Sequence, residues 1–273
     1  MASIEPRWSR RLVVLTAGVA AGILASLTLA LPAAAATPSY TALGDSYSSG
    51  VGTRAYISDG TSCSRSTYAY PVLDATQIGA ALTFAACGGA TVATVLSGQL
   101  GSLSAATRYV TLSVGGNDAG FSHVISQCAL PWPYTCWGDI DSANSYITNT
   151  LPGTLDNLYT RIRTLAPAAR VVIVGYPRLF NNTDCQSLAR ISPGEQSAMN
   201  SSSNLLNTTI AGRAAAHGFR FVDPRAAFTG HAICDSVEWL NGLSNPTMES
   251  YHPNRTGQAS GYAPLVKAAL LAA

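Results

Sequence analysis

Four short apolar runs, rich in β-branched and aromatic residues, recur at 40–43, 109–114, 170–175 and 219–222. Stretches with helical character follow the last three, over roughly 142–165, 194–217 and 256–271. Runs of four to six apolar residues suit strands buried on both faces, and their alternation with helices predicts a parallel sheet covered on both sides. Gly218 directly after His217 supplies a helix stop, and a histidine in the last turn suits the helix dipole. Segments 48–83 and 122–141 contain cysteines but little periodicity, so they are expected as long, pinned loops that shape a cleft. No repeat or low-complexity segment follows the N-terminal region.

That region reads as an export leader. Arg7, Arg10 and Arg11 precede an apolar stretch over 12–31, and Pro32 with Ala33-Ala34-Ala35-Ala36 follows it. Small residues before a cleavage point favour removal near Ala36 over retention as a membrane anchor, although the stretch is long enough to span a bilayer. Ser9-Arg10-Arg11-Leu12 also resembles a twin-arginine signal. Six cysteines favour the general secretory route, because the twin-arginine route carries folded proteins out of a reducing cytoplasm.

Removal of residues 1–36 leaves 237 of the 273 residues, enough for one α/β domain. Arg7, Arg10, Arg11 and Glu5 leave with it, so 16 basic and 14 acidic groups become 13 of each. A chain without net charge has no basic field for nucleic acid, and partners must be recognised by shape and apolar contact. Nothing in this composition requires a dimer, so a monomer is expected. Cys63, Cys87, Cys128, Cys136, Cys185 and Cys234 form an even set in an exported chain, which reads as three disulfides. Sequence leaves the connectivity open. Pairing between neighbours (Cys63–Cys87, Cys128–Cys136, Cys185–Cys234) closes loops of modest length and is preferred. No C-x-x-C spacing and no suitably placed histidine support a metal site, and no cofactor is expected.

Three stretches carry the chemistry. Gly44-Asp45-Ser46-Tyr47 ends the first apolar run, where a serine on a tight turn presents its hydroxyl at the carboxyl edge of the sheet. Ser46 is the candidate nucleophile, within a Gly-x-Ser-x-Ser pattern that departs from the G-x-S-x-G elbow. Asp45 is read as a turn or capping carboxylate. Gly115-Gly116-Asn117-Asp118 follows the second run, and the Asn117 side-chain amide is a candidate oxyanion donor. Within Cys87-Gly88-Gly89-Ala90-Thr91 the Gly89 N–H is a second candidate donor, with Gly88 as the alternative register. His252, in Glu249-Ser250-Tyr251-His252-Pro253, is the candidate general base, and Glu249 is a candidate for orienting its ring.

These motifs, in this order, resemble the SGNH (GDSL) hydrolase family, particularly its secreted actinobacterial lipases and esterases. The opening block is similar to Gly44–Gly50, the glycine block to 87–91, the Gly-x-Asn-Asp block to 115–118 and the Asp-x-x-His-Pro block to 249–253. The resemblance implies a three-layer α/β/α sandwich around a parallel sheet, in a single domain over 37–273. It implies hydrolysis of acyl esters through an acyl-enzyme on Ser46, with His252 as base and an oxyanion hole of the Ser46 and Gly89 N–H groups with Asn117. The six cysteines look like the three consecutive disulfides of the family's secreted bacterial members. The departure is Glu249, where the family usually has Asp. Some members replace the acid by a main-chain carbonyl, here from Glu249 or Ser250.

The expected substrate is a lipid-like acyl ester, phospholipid acyl esters included. The alternatives are a short-acyl esterase or polysaccharide deacetylase, and a secreted binding protein without activity. Phe121, Trp132, Tyr134 and Trp137 are aromatic surface for an acyl groove or, equally, packing around Cys128 and Cys136.

Overall fold

The apolar runs become five parallel strands in a computed structural model that describes residues 1–3, 36–186, 188 and 190–272. Of the leader expected over residues 1–36, with cleavage near Ala36, positions 4–35 lie outside the described residues. The strands are β1 (Ser39–Gly44), β2 (Ala81–Phe84), β3 (Tyr109–Ser113), β4 (Arg170–Val174) and β5 (Arg220–Val222), in the spatial order β2-β1-β3-β4-β5. Tyr40 pairs with Tyr109 and Thr111 with Val172, so the three central strands run in register.

Successive strand residues face opposite sides and build two cores. Tyr40, Ala42, Val172 and Val174 pack on one side with α2 (Tyr70–Ile78) and α8 (Ala263–Leu271). Leu43, Val110, Leu112, Val171 and Ile173 pack on the other with α3 (Val92–Gly98), α6 (Leu151–Leu165) and the second half of α7 (Pro193–Ala216). Helices on both faces of one parallel sheet make the expected three-layer α/β/α arrangement. The disulfides are Cys63–Cys87, Cys128–Cys136 and Cys185–Cys234, the neighbour pairing.

Several elements differ from the sequence expectation. The segment 48–83 is not one long loop: α2 lies inside it, and β2 begins at its end. Edge strand β2 is only half buried, so it lacks the continuous apolar run that marks its neighbours. Residues 122–141 are also not a loop, because α4 (Phe121–Cys128) and the start of α5 (Trp137–Asn149) occupy most of them. The helix expected over 142–165 is two helices, α5 and α6, with Pro152 in the first turn of α6, where its missing N–H is tolerated. The last helix opens with a π-helical stretch, Gly257–Tyr262.

Asp74 in α2 is fully buried, and neither carboxylate oxygen has a hydrogen-bond partner among the described residues. Burial pushes its pKa up from 3.8 to about 8, against a smaller lowering by Lys267 of α8. The folded state therefore holds a proton that the unfolded chain releases above pH 3.8, and stability falls as pH rises from about 4 to about 8. Asp74→Asn is expected to flatten that decline. Thermal midpoints between pH 5 and pH 8 would test it, and parallel slopes for parent and variant would reject the assignment.

Candidate active site

In the order β2-β1-β3-β4-β5 the chain passes to one side of β1 for β2 and to the other for β3. The crevice at the carboxyl ends of β1 and β3 is therefore the topological switch point where open α/β sheets bind ligands. Ser46 follows β1 by two residues, and Asn117 follows β3 by four.

The turn after β1 is held by contacts remote in sequence. Gly44 has φ +120°, and a Cβ there would lie 2.3 Å from the Ser113 carbonyl oxygen. Gln99 clamps the same residue from its backbone: the Gly44 N–H donates to Oε1 at 2.7 Å, and Nε2 donates to the Gly44 oxygen at 2.9 Å. Asp45 caps the single-turn helix α1 (Ser46–Ser49), accepting from the Tyr47 N–H at 3.0 Å. It also accepts from Ser113 Oγ at 2.7 Å and Tyr176 Oη at 2.5 Å. Burial raises its pKa to about 6 despite those donors, and no contact joins it to His252. Asp45 is thus the capping carboxylate that the sequence suggested.

Ser46 Oγ lies 2.8 Å from His252 Nε2, and His252 Nδ1 lies 2.8 Å from the Ser250 carbonyl oxygen. A carbonyl only accepts, so Nδ1 carries the proton and Nε2 offers its lone pair to the serine hydroxyl. Burial lowers the His252 pKa from 6.5 to about 4, while the Ser250 carbonyl and the Glu249 charge act in the opposite direction. The imidazole is therefore neutral over the physiological range.

Glu249 is buried, but its carboxylate is turned away to other partners. Oε1 accepts from Tyr56 Oη at 2.6 Å, and Oε2 accepts from Arg54 Nε at 3.2 Å. Of the two main-chain alternatives, the Ser250 carbonyl is the one on the ring. Asn241 secures this segment: its side chain donates to the Gly52 and Glu249 carbonyls, and its backbone pairs with Tyr251 and His252. Tyr47 Oη donates to the Tyr251 carbonyl at 2.8 Å, and its ring lies 5.3 Å from that of His252.

Two loops, the glycine block and the Gly115–Asp118 turn, meet beside the carboxyl ends of β1 and β3. Asn117 Nδ2 donates to the Ala90 carbonyl at 3.0 Å, which fixes the amide plane. Asp118 accepts the Val92 N–H at 3.0 and 3.1 Å, so the two neighbouring side chains clamp the glycine block to the end of β3. The Gly88 N–H donates to the Cys63 carbonyl at 2.9 Å and is occupied. Among the described residues the N–H groups of Ser46 and Gly89 have no such partner, and both can serve developing negative charge.

Beside Ser46 and His252 opens a cavity of about 310 Å³. Asn117 lines it with apolar walls from Phe121, Ile125, Leu179, Leu206 and Met248. Of the four aromatic residues noted in the sequence, only Phe121 lines this cavity; Trp132, Tyr134 and Trp137 are exposed. Among the described residues one cluster has metal-ligand types, Cys128, Cys136 and Glu195, but its two sulfurs are joined in a disulfide.

Residues 42–259 match the model of the GDSL-like lipase/acylhydrolase family. The chain belongs to that family. It is 46% identical over 260 residues to Lipase 1 of Streptomyces coelicolor, covering 94% of this chain and 95% of that one. The crystal structure of the extracellular lipase from Streptomyces rimosus superposes with a TM-score of 0.81 at 41% identity, over 85% of this chain and 100% of that one. Phospholipase A1 from Streptomyces albidoflavus NA297 also gives 0.81, at 42% identity over 85% and 99%. This family member is a hydrolase of the lipase/esterase type. No helix among the described residues is long and apolar enough to cross a membrane.

The sequence reading missed the residues that hold the site: Gln99, Asn241 and Tyr176, and the clamping role of Asp118. Each acts through contacts across tens to nearly two hundred residues, for which no local motif exists.

Proposed function

We propose that this protein is a secreted, monomeric lipase or esterase, cleaving lipid acyl esters through an acyl-enzyme on Ser46, after loss of a leader near Ala36. The hydrogen-bonded Ser46–His252 pair at the mouth of an apolar cavity carries the reading. His252 Nε2 takes the Ser46 proton as Oγ attacks the acyl carbonyl, then returns it to the leaving alcohol. Water, activated by the same imidazole, releases the acid. The Ser46 and Gly89 N–H groups with Asn117 Nδ2 stabilise the tetrahedral oxyanion. The Ser250 carbonyl holds the Nδ1 proton and the ring's tautomer. Glu249, fixed by Tyr56 and Arg54, supplies negative charge behind the imidazolium without touching it.

Apolar walls favour a lipid chain over an acetyl group, because each buried CH₂ contributes about 0.8 kcal/mol. Initial rates on p-nitrophenyl esters from acetate to palmitate are expected to peak at octanoate or longer. A collapse beyond butyrate would instead identify a short-acyl esterase or polysaccharide deacetylase.

The lowered pKa of His252 sets the acid limb. Its neutral form is the base, so kcat/KM is expected to hold as pH falls past 6.5 and to decline through about 4. A decline centred near 6.5 on a soluble ester would contradict the buried imidazole.

A further inference from the structure

Between α4 and α5 the chain runs Ala129-Leu130-Pro131-Trp132-Pro133-Tyr134-Thr135-Cys136-Trp137, without a charged residue. Its base is buried: Cys128 and Cys136 are 2% and 0% exposed, and their disulfide closes the turn. The Cys136 N–H donates to the buried Glu195 carboxylate at 3.2 Å. Its crest is the reverse. Trp132 is 90% exposed, Tyr134 65%, and Leu130 and Trp137 are also open to solvent. Large apolar side chains clustered in water on a cross-linked turn are costly, and such patches mark interaction sites.

The turn is continuous with the site. It follows directly on α4, whose Phe121, Ser122, Ile125 and Ser126 wall the cavity beside Ser46. Met248, another lining residue, is half exposed as well.

Its chemistry selects one partner. Aromatic side chains with an apolar body and a polar edge, together with leucine, suit the boundary between headgroups and acyl chains. A carbohydrate platform would need several polar side chains beside the rings to fix sugar hydroxyls, and residues 129–137 offer only Thr135 and the Tyr134 hydroxyl. Helices α4 and α5, which flank the turn, carry Asp139 and Asp141 and no lysine or arginine, so the turn offers an anionic headgroup no cation of its own.

We propose that the Leu130–Tyr134 turn, with Trp137, seats the enzyme on a zwitterionic lipid surface and brings the mouth of the cavity to the acyl chains. This surface rests on the lipase reading above, and deepens it by naming how aggregated substrate is met.

The test separates seating from chemistry. Binding to phosphatidylcholine vesicles is measured by sedimentation in a Ser46→Ala background, so that the lipid is not consumed. Adding Trp132→Ser with Tyr134→Ser is expected to weaken binding by about tenfold or more, since two interfacial aromatics are lost. In the active protein the same pair should leave the rate on monomeric p-nitrophenyl butyrate within about twofold, because neither side chain lines the cavity. Trp132 emission should also shift to the blue on vesicles and be quenched by brominated acyl chains. Unchanged vesicle binding by the double variant overturns the proposal. So does binding confined to phosphatidylglycerol vesicles, or retention on insoluble polysaccharide in place of vesicles. A parent inactive on the monomeric ester would sink the lipase reading, while vesicle binding would still judge the surface.

Discussion

Ser46→Ala is expected to lower kcat on every ester by about 10⁵-fold while leaving the fold intact. Among the described residues the hydroxyl is the hydrogen-bond partner, at 2.8 Å, of the His252 nitrogen that carries a lone pair. Without it the base has no nucleophile to activate, and only the oxyanion donors and substrate binding remain. Those alone sustain about 10³-fold over water in serine hydrolases, so a small Ser46-independent residue of activity is compatible with the mechanism. Loss of Oγ should cost little stability, because among the described residues its hydrogen bond is to His252 alone. Single-turnover measurements on p-nitrophenyl octanoate, with circular dichroism as a fold control, separate the two. A folded Ser46→Ala protein that retains more than about a tenth of the parent rate would refute the assignment of the nucleophile.

Gly44→Ala is expected to be the most damaging small substitution away from the reacting atoms, costing about 3–5 kcal/mol. The added methyl would stand 2.3 Å from the Ser113 oxygen and 2.8 Å from the Ser113 nitrogen, both backbone atoms. Neither atom can withdraw easily, because the Ser113 carbonyl already accepts the Asp45 N–H at 2.9 Å inside the β1–β3 pairing. A φ of +120° adds strain that any L side chain would feel. Gln99 holds both backbone groups of the residue, so the turn cannot swing outward without leaving a buried amide unpaired. Urea unfolding would measure the loss, and a variant within about 1 kcal/mol of the parent would show that the strands can part at this point. Activity should fall further than stability does, because any shift of the turn carries Ser46 away from His252.

Much of the site was legible because its residues sit where chain geometry is local. Gly44-Asp45-Ser46 and Gly115-Gly116-Asn117 each follow an apolar run, and the carboxyl ends of neighbouring parallel strands must lie on one edge. Strands β1, β3 and β4 announced themselves by near-complete burial, and β5 by its aromatic and β-branched residues. Edge strand β2 did not, since a half-exposed strand carries a mixed pattern, and α2 was hidden in the same segment.

From the sequence alone came the parallel α/β architecture, a preference for pairing neighbouring cysteines and the meeting of Ser46, Asn117 and His252 at one sheet edge. The motifs placed these groups within a few residues of rigid elements, so little conformational freedom remained to misplace them. The tertiary structure decided what stands behind them. Glu249 is taken by Arg54 and Tyr56, some 195 and 193 residues away, and the Ser250 carbonyl holds the imidazole instead. The Gly88 N–H is taken by the Cys63 carbonyl, while among the described residues the Gly89 N–H has no such partner, which favours Gly89 as the proposed oxyanion donor. A carboxylate's partner is set by which charges and hydroxyls the folded chain brings within hydrogen-bond reach, and spacing along the sequence carries no record of that.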